Sequence, residues 1–160
     1  MGFLRRNKAI INIVMALAII CIVTVFFVKS NKVEAAGSSS NSTSDAQLIA
    51  RAINGEARGE PYEGQVAVGA VIMNRVANAN FPNTIAGVIY QSGAFTAVSD
   101  GQINVPISEG STVVKAARDA MNGWDPTGGA VYYYNPDTAT NGWIWSRSVT
   151  TVIGKHKFCK

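Results

Sequence analysis

Ile53-Asn54-Gly55-Glu56-Ala57-Arg58-Gly59-Glu60-Pro61 decides the reading of this sequence. Two carboxylates stand four residues apart among glycines, with an apolar pattern on either side. Upstream, Leu48, Ile49, Ala52, Ile53 and Ala57 recur at helical spacing, which predicts a first helix from about Asp45 to about Arg58. Ser44 with Gln47 three residues later fits a capping box at its start. Gly59 suits its C-terminal cap, and Pro61 cannot continue it. Pro61 suits the first turn of a second helix running to about Ala77. Val66, Ala67, Val68, Ala70, Val71, Ile72 and Met73 cover most of that helix's circumference, so it is expected to be the buried central one. Gly64 and Gly69 would let a neighbour approach it closely.

Glu56 follows Ala52 by four residues and Leu48 by eight. At 3.6 residues per turn it shares the stripe that faces the core. A carboxyl there is partly desolvated, which disfavours its charged form. A carboxyl that is neutral at neutral pH is what general-acid cleavage of a glycosidic bond requires. A satisfied structural carboxyl is the plainer reading of the same spacing. Glu60 falls beyond the expected helix end and could still face a cleft. Glu63 falls in the first turn of the second helix, where it complements the helix dipole.

Downstream, a short helix is expected from about Ile85 to Tyr90 with Thr84 as cap. Ala94 to Val98 and Gln102 to Val105 flank Ser99-Asp100-Gly101 as a small hairpin candidate. A further helix is expected from about Ser111 to Met121, with Gly123 past its end. The remainder is aromatic and rich in turn residues: "AVYYYNP", "NGWIWSRS", "VIGKHKF". It reads as short extended pieces, in which Tyr133 and Asn135 share one face and Trp143 and Trp145 another. Helices first and small strands after imply an α+β domain, mainly helical, with a small β-hairpin, aromatic extended C-terminal segments and a cleft between the parts.

The N-terminus is different in kind. Arg5, Arg6 and Lys8 precede a run from Ala9 to Val28 broken only by Asn12, Cys21 and Thr24. A basic flank before an apolar run marks an export signal or a membrane anchor, with the domain outside. Small residues at Val33-Glu34-Ala35 allow cleavage after Ala35 or Ala36, whereas the length of the run allows it to stay and span a bilayer. Residues 1–36 are therefore read as signal peptide or anchor, 37–44 ("GSSSNSTS") as a flexible linker, and 45–160 as the exported domain.

Charge and cysteine exclude several classes. Five of the 14 Lys and Arg and one of the 10 acidic residues precede Gly37, which leaves nine of each sign in the exported part. The net charge of +4 belongs to the leader, so a nucleic-acid partner loses its support. Contact with a membrane is expected only through residues 9–28 if they are retained. Cys21 lies in the apolar run and Cys159 is next to last, so no disulfide framework is expected. One histidine and one exported cysteine cannot build the usual zinc site, and no metal or other cofactor is expected. Cys159 lies three residues from His156, but a terminal position suits a nucleophile poorly.

The stretch "IARAINGEARGEPYEGQVAVGAVIMNRV" resembles the opening motif of the spore cortex-lytic, SleB/CwlJ-type cell-wall hydrolase family. "GGAVYYYNPDTA", "NGW" and "IGKHKF" resemble later segments of that family in order and spacing, so the likeness spans about Gln47 to Phe158. It implies a lysozyme-like fold, peptidoglycan as substrate and partner, and Glu56 as the catalytic glutamate. It also implies an exported place of action in the cell wall, the spore cortex or the outer face of the membrane. Phe95, Thr96, Tyr133, Asn135, Trp145, His156 and Glu60 are the expected substrate-binding positions, and a monomer is expected. Each has a plainer reading: a strand Phe and Thr that pack, a tyrosine that fixes the acid, tryptophans that plug, a histidine that shapes structure.

The chemistry the family implies needs one acid. Glu56 would protonate the leaving oxygen and then take the proton of the sugar's own C6 hydroxyl, giving a 1,6-anhydro end. A hydrolase would need a second carboxylate, for which Asp100 or Glu60 are the candidates, although Asp100 is explained as a turn residue before Gly101. A noncatalytic peptidoglycan-binding module is the remaining reading. Where larger members of the family carry a separate wall-binding domain, this sequence has its leader and linker. Nothing in it reads out the muramic lactam of cortex, so degradation of cortex during germination rests on the resemblance alone.

Overall fold

The structure, a computed structural model, describes residues 44–160. The readings of the leader and of nearly all the linker lie outside the described residues.

Five α-helices precede a three-stranded sheet. Helix α1 spans residues 44–57, and α2 spans Tyr62–Ala77. Helix α3, Ile85–Ile89, and the single turn α4, Thr96–Ser99, lie between α2 and α5, Thr112–Met121. Strand β1, Tyr132–Tyr134, pairs antiparallel with β3, His156–Cys159, which also pairs with β2, Val149–Ile153. The order is β1-β3-β2.

The second helix is the central one, as its apolar circumference predicts. Gly64 to Ile72 are all buried, and so is Arg75. Helices α1 and α5 pack on it over Ile49, Ile53, Val66, Val68, Val114 and Ala117. Burying each of the larger aliphatic side chains is worth about 1.5–3 kcal/mol. Gly69 is why the approach can be so close: a Cβ there would stand 2.9 Å from that of Ala120 and 3.2 Å from Ile53 Cδ1. The sheet face has its own smaller core, in which Phe158 meets Ala67, Val71 and Ala130. Tyr133 packs against both cores and so lies along their seam.

The cap of α3 forms as expected, Thr84 accepting from the N–H of Gly87; Ser111 caps α5 in the same way, accepting from the N–H of Val114. Gly123 follows α5 with φ +97°. Four expectations need correction. The residue at 44 is already helical, and the Gln47 side chain donates to Glu109 instead of folding back on the helix start. Gly59 is not left-handed; the chain leaves α1 through an ordinary turn in which the Glu60 N–H donates to Ala57 O at 3.0 Å. The proposed hairpin around Asp100 is instead α4, a left-handed Gly101 with φ +81°, and a 3-10 turn over Gln102–Asn104. Runs of four or five residues with mixed apolar pattern suit one helical turn as well as a strand, and burying Phe95, Ala97 and Ile103 on the helices decides it. Last, Gly142–Ser146 is a 3-10 helix, not extended. At three residues per turn, positions two apart diverge, so Trp143 and Trp145 do not share a face.

The β-hairpin of the fold is β2–β3. Its loop is Gly154-Lys155, with Gly154 at φ +58°, the first loop position at which a two-residue hairpin turn requires glycine.

Candidate functional site

Glu56 lies in the last turn of α1, half-buried, as its stripe predicts. Both carboxyl oxygens are engaged. Oε1 accepts from the N–H of Ala97 at 3.0 Å, and Oε2 accepts from the Tyr133 hydroxyl at 3.2 Å. The amide is available because it belongs to the first turn of α4, where N–H groups have no helical partner. The hydroxyl arrives from β1. Burial, then the nearby charge of Glu56, pushes the Tyr133 phenol well above its usual range, so it remains a donor at any physiological pH. One carboxyl, carried by α1, is thus fixed by groups from two other elements, and neither of its partners is an acid.

The other two carboxylate candidates are occupied. Glu60 holds the hairpin loop: its Oε2 accepts from the Lys155 N–H at 2.9 Å, and a Cβ on Gly154 would stand 1.8 Å from that oxygen. Its side chain is 10% exposed. Asp100 is exposed and accepts twice from Gln102, from the backbone N–H at 3.0 Å and from Nε2 at 2.6 Å. Gln102 Oε1 in turn accepts from Arg58. Each acid has a structural task.

His156 is buried beside the pair, its ring edge-on to Tyr133 at 5.3 Å between centroids. Its Nδ1 stands 4.0 Å from Glu60 Oε1. Burial holds the imidazole below 6.5, against the opposing pull of Glu60 and Glu56, so it is neutral at neutral pH. The unfolded chain takes up this proton first as pH falls, and stability is then lost below 6.5 while being fully present above it. Thermal unfolding should therefore shift to lower temperature between pH 7 and pH 5, and less so in His156→Gln. An equal shift in that variant would assign the loss to other groups.

A cleft of about 860 Å³ adjoins Tyr133 and Thr96. Its walls are the 91–96 segment, the three tyrosines of β1 and the 3-10 helix with Trp143 and Arg147; Arg75 also lines it. Of the expected binding positions, Thr96 and Tyr133 line the cleft. Phe95 does not: it is 3% exposed and lies under the Arg75 guanidinium. Asn135 shapes the next turn, accepting from the Asp137 N–H at 2.9 Å. Trp145 packs edge-on against Tyr134 at 5.0 Å, outside the cleft, while Trp143 takes the lining position beside Tyr132. Cys159 is buried, with its thiol pushed up by burial, and in strand alternation it faces away from His156. Among the described residues no three His, Cys, Asp or Glu side chains converge to hold a metal.

Ala97, Arg75, Tyr132 and Arg147 escaped the reading of the sequence as site residues. Only Arg75 left a signal, as a cation on an otherwise apolar helix. Asp125 also went unnoticed. It accepts from Thr127, Gly129 and Asn74, which fixes the loop before β1. Burial raises its carboxyl, but these hydrogen bonds prevail and hold it below 3.8.

Residues 59–159 match the family described as cell wall hydrolase; the match begins three residues after Glu56. The spore cortex-lytic enzyme of Bacillus cereus is 62% identical over 119 residues, which is 74% of this chain and 45% of that protein. That of Oceanobacillus iheyensis is 60% identical over 119 residues, 74% of this chain and 42% of that protein. The chain thus spans less than half the length of the curated relatives it matches. The catalytic domain of the Bacillus cereus SleB protein superposes with a TM-score of 0.68 at 63% identity, over 72% of this chain and 89% of that one. The catalytic domain of the germination-specific lytic transglycosylase SleB of Bacillus anthracis gives 0.69 at 62% identity, over 72% and 93%. This chain shares their mainly helical, lysozyme-like fold with its small antiparallel sheet.

Proposed function

The chain belongs to the cell wall hydrolase family, and on that premise we propose that it cleaves peptidoglycan glycan strands as a lytic transglycosylase, with Glu56 as its one acid and base. The named similarity to spore cortex-lytic enzymes supports cortex, opened during germination, as the material it acts on. It acts outside the cytoplasmic membrane, in the wall or cortex, as a monomer. Residues 1–36 deliver it there as a signal or as an anchor, and residues 37–44 tether the domain if the leader is kept.

The observation that carries this reading is the isolation of Glu56. It is held by one amide and one phenol, while Glu60 and Asp100 are committed to the hairpin loop and to Gln102. Cleavage begins with the Glu56 proton moving to the oxygen that leaves C1 of the muramyl residue. The carboxylate so formed is met by the Ala97 N–H and the Tyr133 hydroxyl, donors already in place and strongest toward an ionised acceptor. It then takes the proton of the same sugar's C6 hydroxyl as that oxygen bonds to C1. One glycosidic bond breaks, one internal ether forms, the proton returns to Glu56, and no water is consumed.

Intramolecular attack suits a site without a second carboxylate, because a nucleophile already held close can lower the barrier by several kcal/mol. Mass spectrometry of fragments released from cortex and from vegetative peptidoglycan tests this. Anhydro ends, lighter by one water than hydrolytic ends, should predominate. Predominantly reducing ends, together with a folded but inactive Asp100→Asn, would make this a hydrolase with Asp100 as its second acid.

A further inference from the structure

The cleft beside Tyr133 contains two cations and no anion. Arg75, on the central helix, is 7% exposed. Its Nε donates to Val131 O at 2.7 Å, which leaves the two terminal nitrogens of the guanidinium for the cleft that it lines. Its guanidinium carbon stands 5.3 Å from the Phe81 and Phe95 ring centroids and 5.8 Å from that of Tyr132. Arg147 approaches the same wall, 4.9 Å from the Tyr132 centroid and 4.8 Å from that of Trp143. No Asp or Glu is among the residues that line the cleft.

A buried cation is ordinarily paired. Among the described residues the ion pair is Arg118 with Glu109, His156 beside Glu60 being neutral; neither cleft arginine has a carboxylate within ion-pair distance, and Arg75 feels only the more distant charge of Glu56. Aromatic rings offset part of the dehydration of a guanidinium, but they leave its outward donors unused. The forked donors of arginine match a carboxylate, and the Trp143 and Tyr132 rings beside them offer an apolar surface to a sugar.

We propose that this cleft is a subsite for a carboxylate-bearing sugar, with Arg75 and Arg147 receiving the acid and Trp143 the ring. The proposal deepens the peptidoglycan reading above and rests on it. In that polymer the acid is either the lactyl carboxylate of the muramyl residue or a carboxylate of the peptide attached to it. A muramyl residue closed as a lactam has neither, so the segment seated here is an open, acidic one.

The test is binding, read without turnover, on the full 160-residue chain in mild detergent. The probes are N-acetylmuramic acid and its methyl ester, muramyl dipeptide and its amidated form, N-acetylglucosamine, and glycerol phosphate as an anion without a sugar ring. The signals followed are the Arg75 and Arg147 side-chain N–H and the Trp143 indole N–H in NMR spectra. An acid should bind about tenfold more tightly than its neutral partner, the worth of one hydrogen bond to a charged group, and should move the Arg75 and Trp143 signals. Discrimination within the first pair assigns the lactyl acid, and discrimination only within the second assigns the peptide. The exposed Arg147→Gln should lower the preference severalfold without unfolding the domain. Equal affinity within both pairs overturns the proposal, as does glycerol phosphate binding as tightly as the acid sugar. A preparation that binds acids selectively but never cleaves peptidoglycan would defeat the catalytic reading and leave the subsite standing.

Discussion

Glu56→Gln is expected to leave the domain folded and to reduce release of glycan fragments by roughly a hundredfold or more, the usual worth of a positioned acid and base. The amide keeps the shape of the carboxyl. Its oxygen can still accept from the Ala97 N–H, and its nitrogen can donate to the Tyr133 hydroxyl, which turns to accept. What it lacks is a proton to give and a place to put one, so the loss falls on the chemical step and not on binding. Both halves of the proposed reaction pass through this group, and Glu60 and Asp100 are too firmly held to replace it. Glu60→Gln makes the contrast. It weakens the hold on the Lys155 N–H and should lower the melting temperature more than it lowers the rate per folded molecule. Fragment release by Glu56→Gln within a few-fold of the parent, with an unchanged melting curve, would remove Glu56 from the mechanism.

The helical half of the fold was legible because its signals are local. A cap residue such as Thr84, and the apolar run in α2, act over one or two turns and stand where they were expected. Glu56 was legible for the same reason, since stripe position is a property of α1 alone. The cleft was not. Its arginines, Tyr132 and Trp143 meet only when β1 and the 3-10 helix fold back on α2, and no periodicity encodes that. Trp143 and Trp145 were read as sharing a face because an extended chain puts residues two apart on one side, whereas three residues per turn sends them to different neighbours. Glu60 was read as a possible cleft group because the loop it holds lies far along the chain, at Gly154 and Lys155. The hairpin expected at Asp100 failed on tertiary grounds: burial of Ala97 and Ile103 draws that segment onto the helices.

Gly55→Ala should damage activity out of proportion to its size. Alanine is the better helix former by about 1 kcal/mol, so on α1 alone the change would stabilise. The structure reverses the sign. A Cβ at position 55 would stand 2.5 Å from Ala97 Cβ and 3.3 Å from Ala97 Cα. Ala97 is fully buried, and Gln102 Cβ, 3.6 Å from the same point, closes the other side. The chain around α4 must therefore move away from α1. Overpacking of this kind costs about 1–3 kcal/mol, which leaves a modest net destabilisation once helix propensity is counted. The greater loss is catalytic, because the displaced residue carries the N–H that holds Glu56 Oε1. Misplacing a reacting group by about 1 Å can cost on the order of a hundredfold, so a fall of tenfold to a hundredfold in fragment release is expected. Gly59→Ala is the matched control: it lies four residues on, is not left-handed, and has nothing within 4 Å of the added carbon. It should behave as the parent in both rate and melting temperature. If Gly55→Ala is as active as Gly59→Ala, the close approach of α4 to α1 has no part in holding the acid, and the amide of Ala97 is only a neighbour of Glu56.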